Sequence, residues 1–547
     1  MRSKKITWFV VFVLLALIAG FVAGNLISGK SLARKLLLKT GNKVDVIVDI
    51  ISDEYVDAIN TNDLIENAIT KIVAELDPHS NYIPANVLET LNENMDGRFA
   101  GIGINTMLYS DTIVIISVIP GGAAEQAGIL DGDRIIAIDD SIVAGKNLPE
   151  EKIVEILHGK IGTSVKLGII RESSDIIKEY TIIRTYIPLS SVKAAFEIAD
   201  GIGIIKIYDT FTNNTYNEFI SAMAKLLNKG CQSFIIDLRM NKGGSFETAV
   251  NICNEFLSQG QTIVYMEGRS FPREYVTANG SGTLQDKQVI ILMDQISASA
   301  SEIVAGAIQD NDRGLVMGRR SFGKGLVQNQ IELSDGSAVR LTIARYFTPS
   351  GRNIQRKYEM GKAEEYNQEW IERLSSGEGL YKDSVVLDTS RSYYTLNGRE
   401  VFGGGGIMPD IFVPFDTTEL TSYYLNLENK GIYNQFAFEY SDTNRSKLKS
   451  FSNSDEMLQY LKKQILLSDI IRFAEVRGIK RRSSLISISA NQILNMTYAH
   501  ILQNFFGEEA YFSMILNNDL LVKKAVEEIK KGNNTPLAVA TLKYKNR

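Results

Sequence analysis

The stretch from Val192 onward constrains the fold most. Two strand-like apolar runs, GIGIIKI (201–207) and SFIIDLRM (233–240), flank an amphipathic segment from Asn213 to Asn228. Apolar runs joined through a helix of that kind read as a βαβ unit. The alternation continues with a helix from Phe246 to Leu257, strands TIVYME and QVIILMD, a helix from about Ser299 to Gln309, and GLVMGRR. An α/β core is expected. LVQNQIEL and AVRLTIARYF, separated by Ser334-Asp335-Gly336-Ser337, predict a β-hairpin with an Asp-Gly turn.

At 547 residues the chain is too long for one hydrophobic core, so three or so folded units are expected. The net charge of −5 shows no basic bias, which excludes a nucleic-acid partner from the expectation. Cys231 and Cys253 lie in apolar stretches and predict two buried free thiols. His79, His158 and His500 are the only histidines and form no HExxH or clustered Cys/His pattern, so no metal is expected. Any hydrolytic chemistry has to proceed with little histidine.

Arg2, Lys4 and Lys5 precede Ile6 to Ile27, a charge-free run long enough for a helix to cross a bilayer. Positive residues stay cytoplasmic, so a signal anchor over 1–28 is predicted in a bacterial inner membrane, with the catalytic bulk in the periplasm. Val22-Ala23-Gly24 also suits a signal peptidase, which leaves a cleaved, soluble periplasmic product open. Residues 29–95 read as largely helical, ending at Asp77-Pro78, and suggest a packing or dimerisation arm.

From Asp96 to about 187 the texture changes to short β runs with glycine turns. Gly101-Ile102-Gly103-Ile104, then Ala123 to Ile129, then Gly132 to Ile136 stand in an order that resembles a PDZ domain. The resemblance implies that the Gly101–Ile104 loop holds a peptide carboxylate on its backbone N–H groups, while a strand edge pairs with the peptide.

Three segments carry the chemistry. Asp294 to Ile303 (DQISASASEI) joins a buried strand to a helix, where free N–H groups can stabilise negative charge. Ser297, Ser299 and Ser301 are each nucleophile candidates there, and each also suits a cap. Lys324 stands between Gly323 and Gly325 beside an apolar strand. Burial lowers a lysine's pKa and makes a base of it. Gln328 shares a strand face with it and can orient the amine. Arg239 to Gly244 (RMNKGG) follows a strand and is read as a turn opening a helix, able to offer an amide to an oxyanion.

Taken together, LDPHSNY, RMNKGG, SASASEI, SFGKGLVQ and GGGGIMPD resemble the carboxyl-terminal processing peptidases, or tail-specific proteases, over about residues 40 to 415. The resemblance implies a serine endopeptidase with a crotonase-like ββα protease core. It selects Ser299 as nucleophile, because the family's lysine base lies 25 residues later, where Lys324 stands. Gln328 becomes the orienting glutamine, Ala300 one oxyanion amide, and Gly243 or Gly244 the other. A Ser/Lys pair needs neither histidine nor cofactor. One departure is Leu157-His158-Gly159, where family members often carry arginine in a step that couples the PDZ domain to the protease; His158 is read as a solvent-facing turn residue.

The expected architecture is thus an α+β multidomain chain: anchor (1–28), helical arm (29–95), PDZ domain (96–187), protease core (188–415) and helical C-terminal region (416–547). A polar, irregular insertion is expected at about 358–399. The partners implied are protein tails bound by their C-termini and the inner membrane through residues 6–27. A homo-oligomer and an adaptor protein stay open.

Overall fold

The computed structural model describes residues 8–9, 11–20, 22–23, 42–171, 176–388 and 390–532. The predicted anchor lies partly outside them. The described residues of that run, 8–9, 11–20 and 22–23, are helical, and Trp8, Phe9, Phe12 and Leu17 are exposed. Among the described residues no helix is long and apolar enough to cross a membrane.

The arm consists of helices α1 (Lys43–Glu54), α2 (Thr61–Ala74) and α3 (Ala85–Asp96), with a three-residue strand β1 (Asn81–Ile83) between the last two. Asn42 and Asn60 cap the first two helices, each accepting from the N–H two residues on.

Strand β2 (Arg98–Gly101) then opens the PDZ domain and pairs with β9 (Thr185–Pro188), which closes it. Between them lies an antiparallel sheet in the order β3 (Ile104–Tyr109), β4 (Thr112–Val118), β5 (Arg134–Ile138), β7 (Ser164–Ile170), β8 (Lys178–Ile183), with a short β6 (Ser141–Ile142) beside β5. Helices α4 (Ala123–Gln126) and α5 (Glu150–Leu157) complete a core around Ile113, Ile115, Ile135 and Leu167. His158 is not solvent-facing as expected. It ends α5 half-buried, its ring stacked on Phe99 with centroids 4.8 Å apart.

The protease core holds a six-stranded sheet in the order β10 (Val192–Ala199), β11 (Ile202–Ile207), β13 (Ser233–Asp237), β17 (Gln288–Met293), β18 (Leu315–Gly318), β21 (Ile411–Phe412). β10 pairs antiparallel with β11, and every other pairing is parallel. The central strands are apolar on both faces for most of their length, so both faces must be covered. Phe234, Ile236, Val289 and Ile291 face helices α6 (Thr215–Asn228), α7 (Phe246–Phe256) and α8 (Ala300–Asp310). Ile235, Ile290 and Leu292 point the opposite way, as alternation along a strand requires. They pack on Leu521, Val522, Ala525 and Ile529 of the last described helix, Leu520–Lys530. A helix from the far end of the chain therefore forms one layer of the protease core.

A second, antiparallel sheet carries β1, β15 (Thr262–Glu267), β16 (Glu274–Thr277) and β20 (Ala338–Phe347), and β19 (Leu326–Glu332) joins it through β20 as the predicted hairpin. Two expectations need correction. Asn241–Gly244 is not a plain turn but a short strand, β14, parallel to β12 (Asp209–Phe211); the helix after it begins at Phe246 as expected, capped by the Ser245 hydroxyl. The 358–399 insertion is not irregular either. It contains α9 (Ala363–Ser375), whose buried Arg373 donates to the carbonyls of Ser321 and Phe322 and pairs with Glu378.

Beyond Pro414 the chain is helical as expected, with helices at Ser422–Asn429, Ile432–Thr443, Ser454–Leu461, Leu466–Val476 and Ser483–Asn518 enclosing their own core. Arg134 pairs with Asp442 at 2.6 Å, and the hydroxyl of Tyr109 donates to Glu439, so these helices lean on the PDZ sheet. Both cysteines are free and buried.

Candidate active site

β17 is followed by Asp294, whose carboxylate gathers the N–H groups of Met240, Ile296 and Ser297. That clamp joins two loops, the one after β13 and the one before α8. Ser297 and Ser301 are fully buried and spent on internal bonds: the Ser297 hydroxyl donates to Leu238 O, and the Ser301 hydroxyl to Asn241 Oδ1. Ser299, between them, lines a cavity of about 490 Å³ together with Ala300, Gly243, Gly244, Lys324 and Gln328. Every catalytic and oxyanion residue expected from the sequence is thus brought to one place.

Ser299 has φ +55°, a strained value for a residue with a Cβ. The strain is held by Glu302, one turn into α8, whose Oε2 accepts the Ser299 N–H at 2.8 Å. The same oxygen accepts the Lys324 N–H at 2.8 Å, while Oε1 accepts the Gly323 N–H and the Ser321 hydroxyl. Burial pushes the Glu302 carboxyl up to about 7 against these hydrogen bonds. On the other side the Tyr346 hydroxyl reaches the carbonyls of Ser299 (3.1 Å) and Lys324 (2.7 Å).

Lys324 Nζ donates to Gln328 Oε1 at 2.8 Å, and Gln328 Nε2 donates to the carbonyl of His79 at 2.7 Å. Because the amide nitrogen is committed to a carbonyl, the amide oxygen must face the lysine. His79 is set by Asp77, which accepts its N–H, and by Tyr366, whose hydroxyl lies 3.1 Å from Nε2. Burial lowers the pKa of Lys324, and the neighbouring Arg340 charge lowers it further, against the pull of Asp77 and Glu302. Burial likewise lowers His79 to about 4. Its ring is neutral at physiological pH and adds no charge beside the amine.

The two candidate oxyanion glycines differ. A Cβ on Gly243 would lie 2.7 Å from the Ser299 Cβ and 2.9 Å from the Ala300 N, so only glycine lets this turn approach the helix start so closely. A Cβ on Gly244 would meet the Phe211 carbonyl at 2.2 Å. The Gly243 N–H donates to Asn241 Oδ1 at 2.9 Å and must exchange that partner to serve an oxyanion. Ala300 is the first residue of α8, so its N–H has no acceptor within the helix.

The PDZ loop lies apart from this cavity. The carbonyl of Ile102 accepts from Ala124 and that of Gly103 from Ile119. In a trans peptide the N–H points opposite to the carbonyl, so the Gly103 N–H faces away from α4.

Glu302, Tyr346, Asn241 and His79 were not singled out by reasoning from sequence. Ser299-x-x-Glu302 carries the spacing of a capping box, a signal that could have found Glu302. Tyr346 and the His79 carbonyl reach the site only through tertiary packing and leave no local mark.

A profile of peptidase family S41 matches residues 201–365, a PDZ domain profile matches 90–170, and a family of unknown function matches 423–507. Ser299, Lys324, Gln328 and both glycines fall inside the first. A carboxy-terminal-processing protease of Bartonella bacilliformis is 34% identical over 349 residues, 61% of this chain and 79% of that protein. A probable CtpA-like serine protease of Staphylococcus haemolyticus is 36% identical over 317 residues, 58% of this chain and 62% of that protein. Among solved structures, the photosystem II D1 C-terminal processing protease aligns at 27% identity over 56% of this chain and 88% of its own, with a TM-score of 0.33.

Proposed function

The chain belongs to the carboxy-terminal-processing proteases of peptidase family S41, and from that premise we propose that Ser299 and Lys324 hydrolyse peptide bonds in protein tails captured by the PDZ domain. The chain is a serine-type peptidase. The observation that carries the proposed mechanism is a desolvated lysine amine, oriented by Gln328, in the same cavity as a serine at a helix start.

In this reading Ser299 Oγ attacks the scissile carbonyl carbon while its proton passes to neutral Lys324 Nζ. The carbonyl oxygen becomes an oxyanion and is met by the Ala300 N–H and by an N–H of the Gly243-Gly244 turn. Collapse of this intermediate breaks the C–N bond, and the departing amine takes the proton from Lys324. An acyl-enzyme on Ser299 remains. Water, deprotonated by the same amine, attacks the ester carbonyl and frees the second product with Ser299 restored. The Gln328 oxygen accepts from the lysine ammonium formed in each half-reaction, which favours proton capture.

Tail capture is assigned to the Gly101–Ile104 loop and the edge of β3, which among the described residues pairs only with β4. The charge-free run behind Arg2, Lys4 and Lys5 supports an inner-membrane anchor with the protease in the periplasm.

The test is cleavage of a tailed model protein by the purified wild-type, Ser299→Ala and Lys324→Ala proteins. Both variants are expected to be inactive, and a trapped ester should appear by mass spectrometry only when Ser299 is present. Undiminished cleavage in either variant overturns the mechanism.

A further inference from the structure

The cavity that holds Ser299 is lined by three basic side chains, Lys242, Lys324 and Arg340, and by no acidic one, in a chain whose net charge is −5. Two of the three are accounted for. Lys242 is paired with Asp209 at 3.0 Å and is largely exposed. Lys324 is held by Gln328 and acts in its neutral form in the mechanism above. Arg340 is different. It sits on β20 directly across from Gln330 on β19 and beside Asn81 on β1, at the centre of the second sheet. Its Nη2 donates to Gln330 Oε1 at 3.0 Å, and Gln330 Nε2 is in turn held by Asn92 Oδ1 at 3.0 Å. The bond to Asn92 turns the glutamine so that its oxygen faces the guanidinium.

Among the described residues no carboxylate pairs with that guanidinium. Burial lowers its pKa and no neighbouring carboxylate raises it. Three other arginines of this core, Arg320, Arg352 and Arg399, each have a carboxylate within 2.7 Å. A half-buried cation without a counter-charge is costly unless something completes it. A guanidinium with most of its donors unused offers a planar fork that matches a carboxylate in two parallel bonds.

We infer that Arg340 is a specificity residue that binds a substrate carboxylate beside the scissile bond. This rests on the Ser299/Lys324 reading and adds a recognition element separate from the PDZ loop. The carboxylate has two sources, an aspartate or glutamate side chain within the bound tail, or the free α-carboxylate of a short tail ending in the cavity.

The test uses the full chain and matched peptides cut at one bond. One set carries glutamate or glutamine near that bond with an amidated C-terminus. A second carries glutamine and ends at the same distance with either a free or an amidated terminus. Wild type is expected to favour the charged member of at least one pair by about tenfold or more in kcat/KM, as a charge-assisted bidentate contact permits. The preferred pair identifies the source. Arg340→Gln is expected to abolish the preference and Arg340→Lys to keep only part of it. Each readout is a ratio within one enzyme, so a lower folded fraction leaves it unchanged.

Ser299-dependent cleavage with no charge preference in wild type overturns the inference and leaves the mechanism standing. A preference that persists in Arg340→Gln does the same. Cleavage that survives Ser299→Ala overturns both.

Discussion

Ser299 and Lys324, 25 residues apart in the chain, are fastened to each other through their backbones on two sides. Glu302 Oε2 accepts both N–H groups, and the Tyr346 hydroxyl reaches both carbonyls. Their side chains meet one cavity because their main chains share two partners. Tyr346→Phe keeps the ring and removes only the carbonyl bridge. It should lower kcat roughly tenfold, the worth of about one buried hydrogen bond, with little change in KM. A rise in KM with unchanged kcat would show that the hydroxyl serves binding instead.

Glu302 makes activity and stability run in opposite directions with pH. All four of its neighbours act as donors, so only the ionised carboxylate satisfies them, and activity should rise as pH passes about 7. Stability behaves otherwise. The folded-state pKa lies above the ordinary 4.5, so the folded chain holds a proton that the unfolded chain has released, and stability falls as pH rises through that window. The loss is on the order of 3 kcal/mol when the group is fully ionised. Glu302→Gln should flatten this part of the profile of unfolding midpoint against pH and lower kcat at every pH.

Lys324 predicts a second limb. With its pKa below the ordinary 10.5, the neutral amine grows in with rising pH, and kcat should climb to a plateau above that pKa. Arg340 contributes to the depression, so Arg340→Gln should move this limb to higher pH when assayed on an uncharged peptide. A shift to lower pH would contradict the electrostatic account.

Asp519 tests the link between the C-terminal helices and the turn beside the nucleophile. One carboxylate oxygen caps the last described helix through the Val522 N–H at 2.9 Å, and the other pairs with Arg239 at 2.8 Å. Arg239 is also bound by the fully buried Asp237 and begins the turn that leads to Gly243. Asp519→Ala should cost about 2 kcal/mol of stability from the lost cap and ion pair together. Asp519→Asn keeps the cap and loses the charge, so a kcat deficit shared by both variants isolates the contact with Arg239.

Much of this arrangement is legible in the sequence. Long apolar runs announce a sheet buried on both faces, and the family resemblance, through the interval between SASAS and GKG, marks one serine out of three. What stayed hidden depends on distance in space. Asn241–Gly244 looks like a glycine turn opening a helix, yet pairing with Asp209–Phe211 draws it into a strand. The insertion looked irregular because α9 is mostly polar, while the few residues that anchor it find partners elsewhere: Arg373 in the carbonyls of Phe322 and Ser321, 51 and 52 positions earlier, and Tyr366 in Arg356 and His79. Arg340 reads as an ordinary strand residue until the missing counter-charge is seen.

The helix at Leu520–Lys530 closes the second face of the protease sheet, although it follows β21 only after the whole C-terminal helical region. During synthesis every strand of that sheet leaves the ribosome well before its cover does. Until then Ile235, Ile290 and Leu292 stay open to solvent, and Arg239 lacks Asp519. A nascent chain therefore carries Ser299 and Lys324 before the turn that begins at Arg239 has gained its contact with Asp519. The order of translation thus leaves one face of the protease sheet uncovered until its last layer is made.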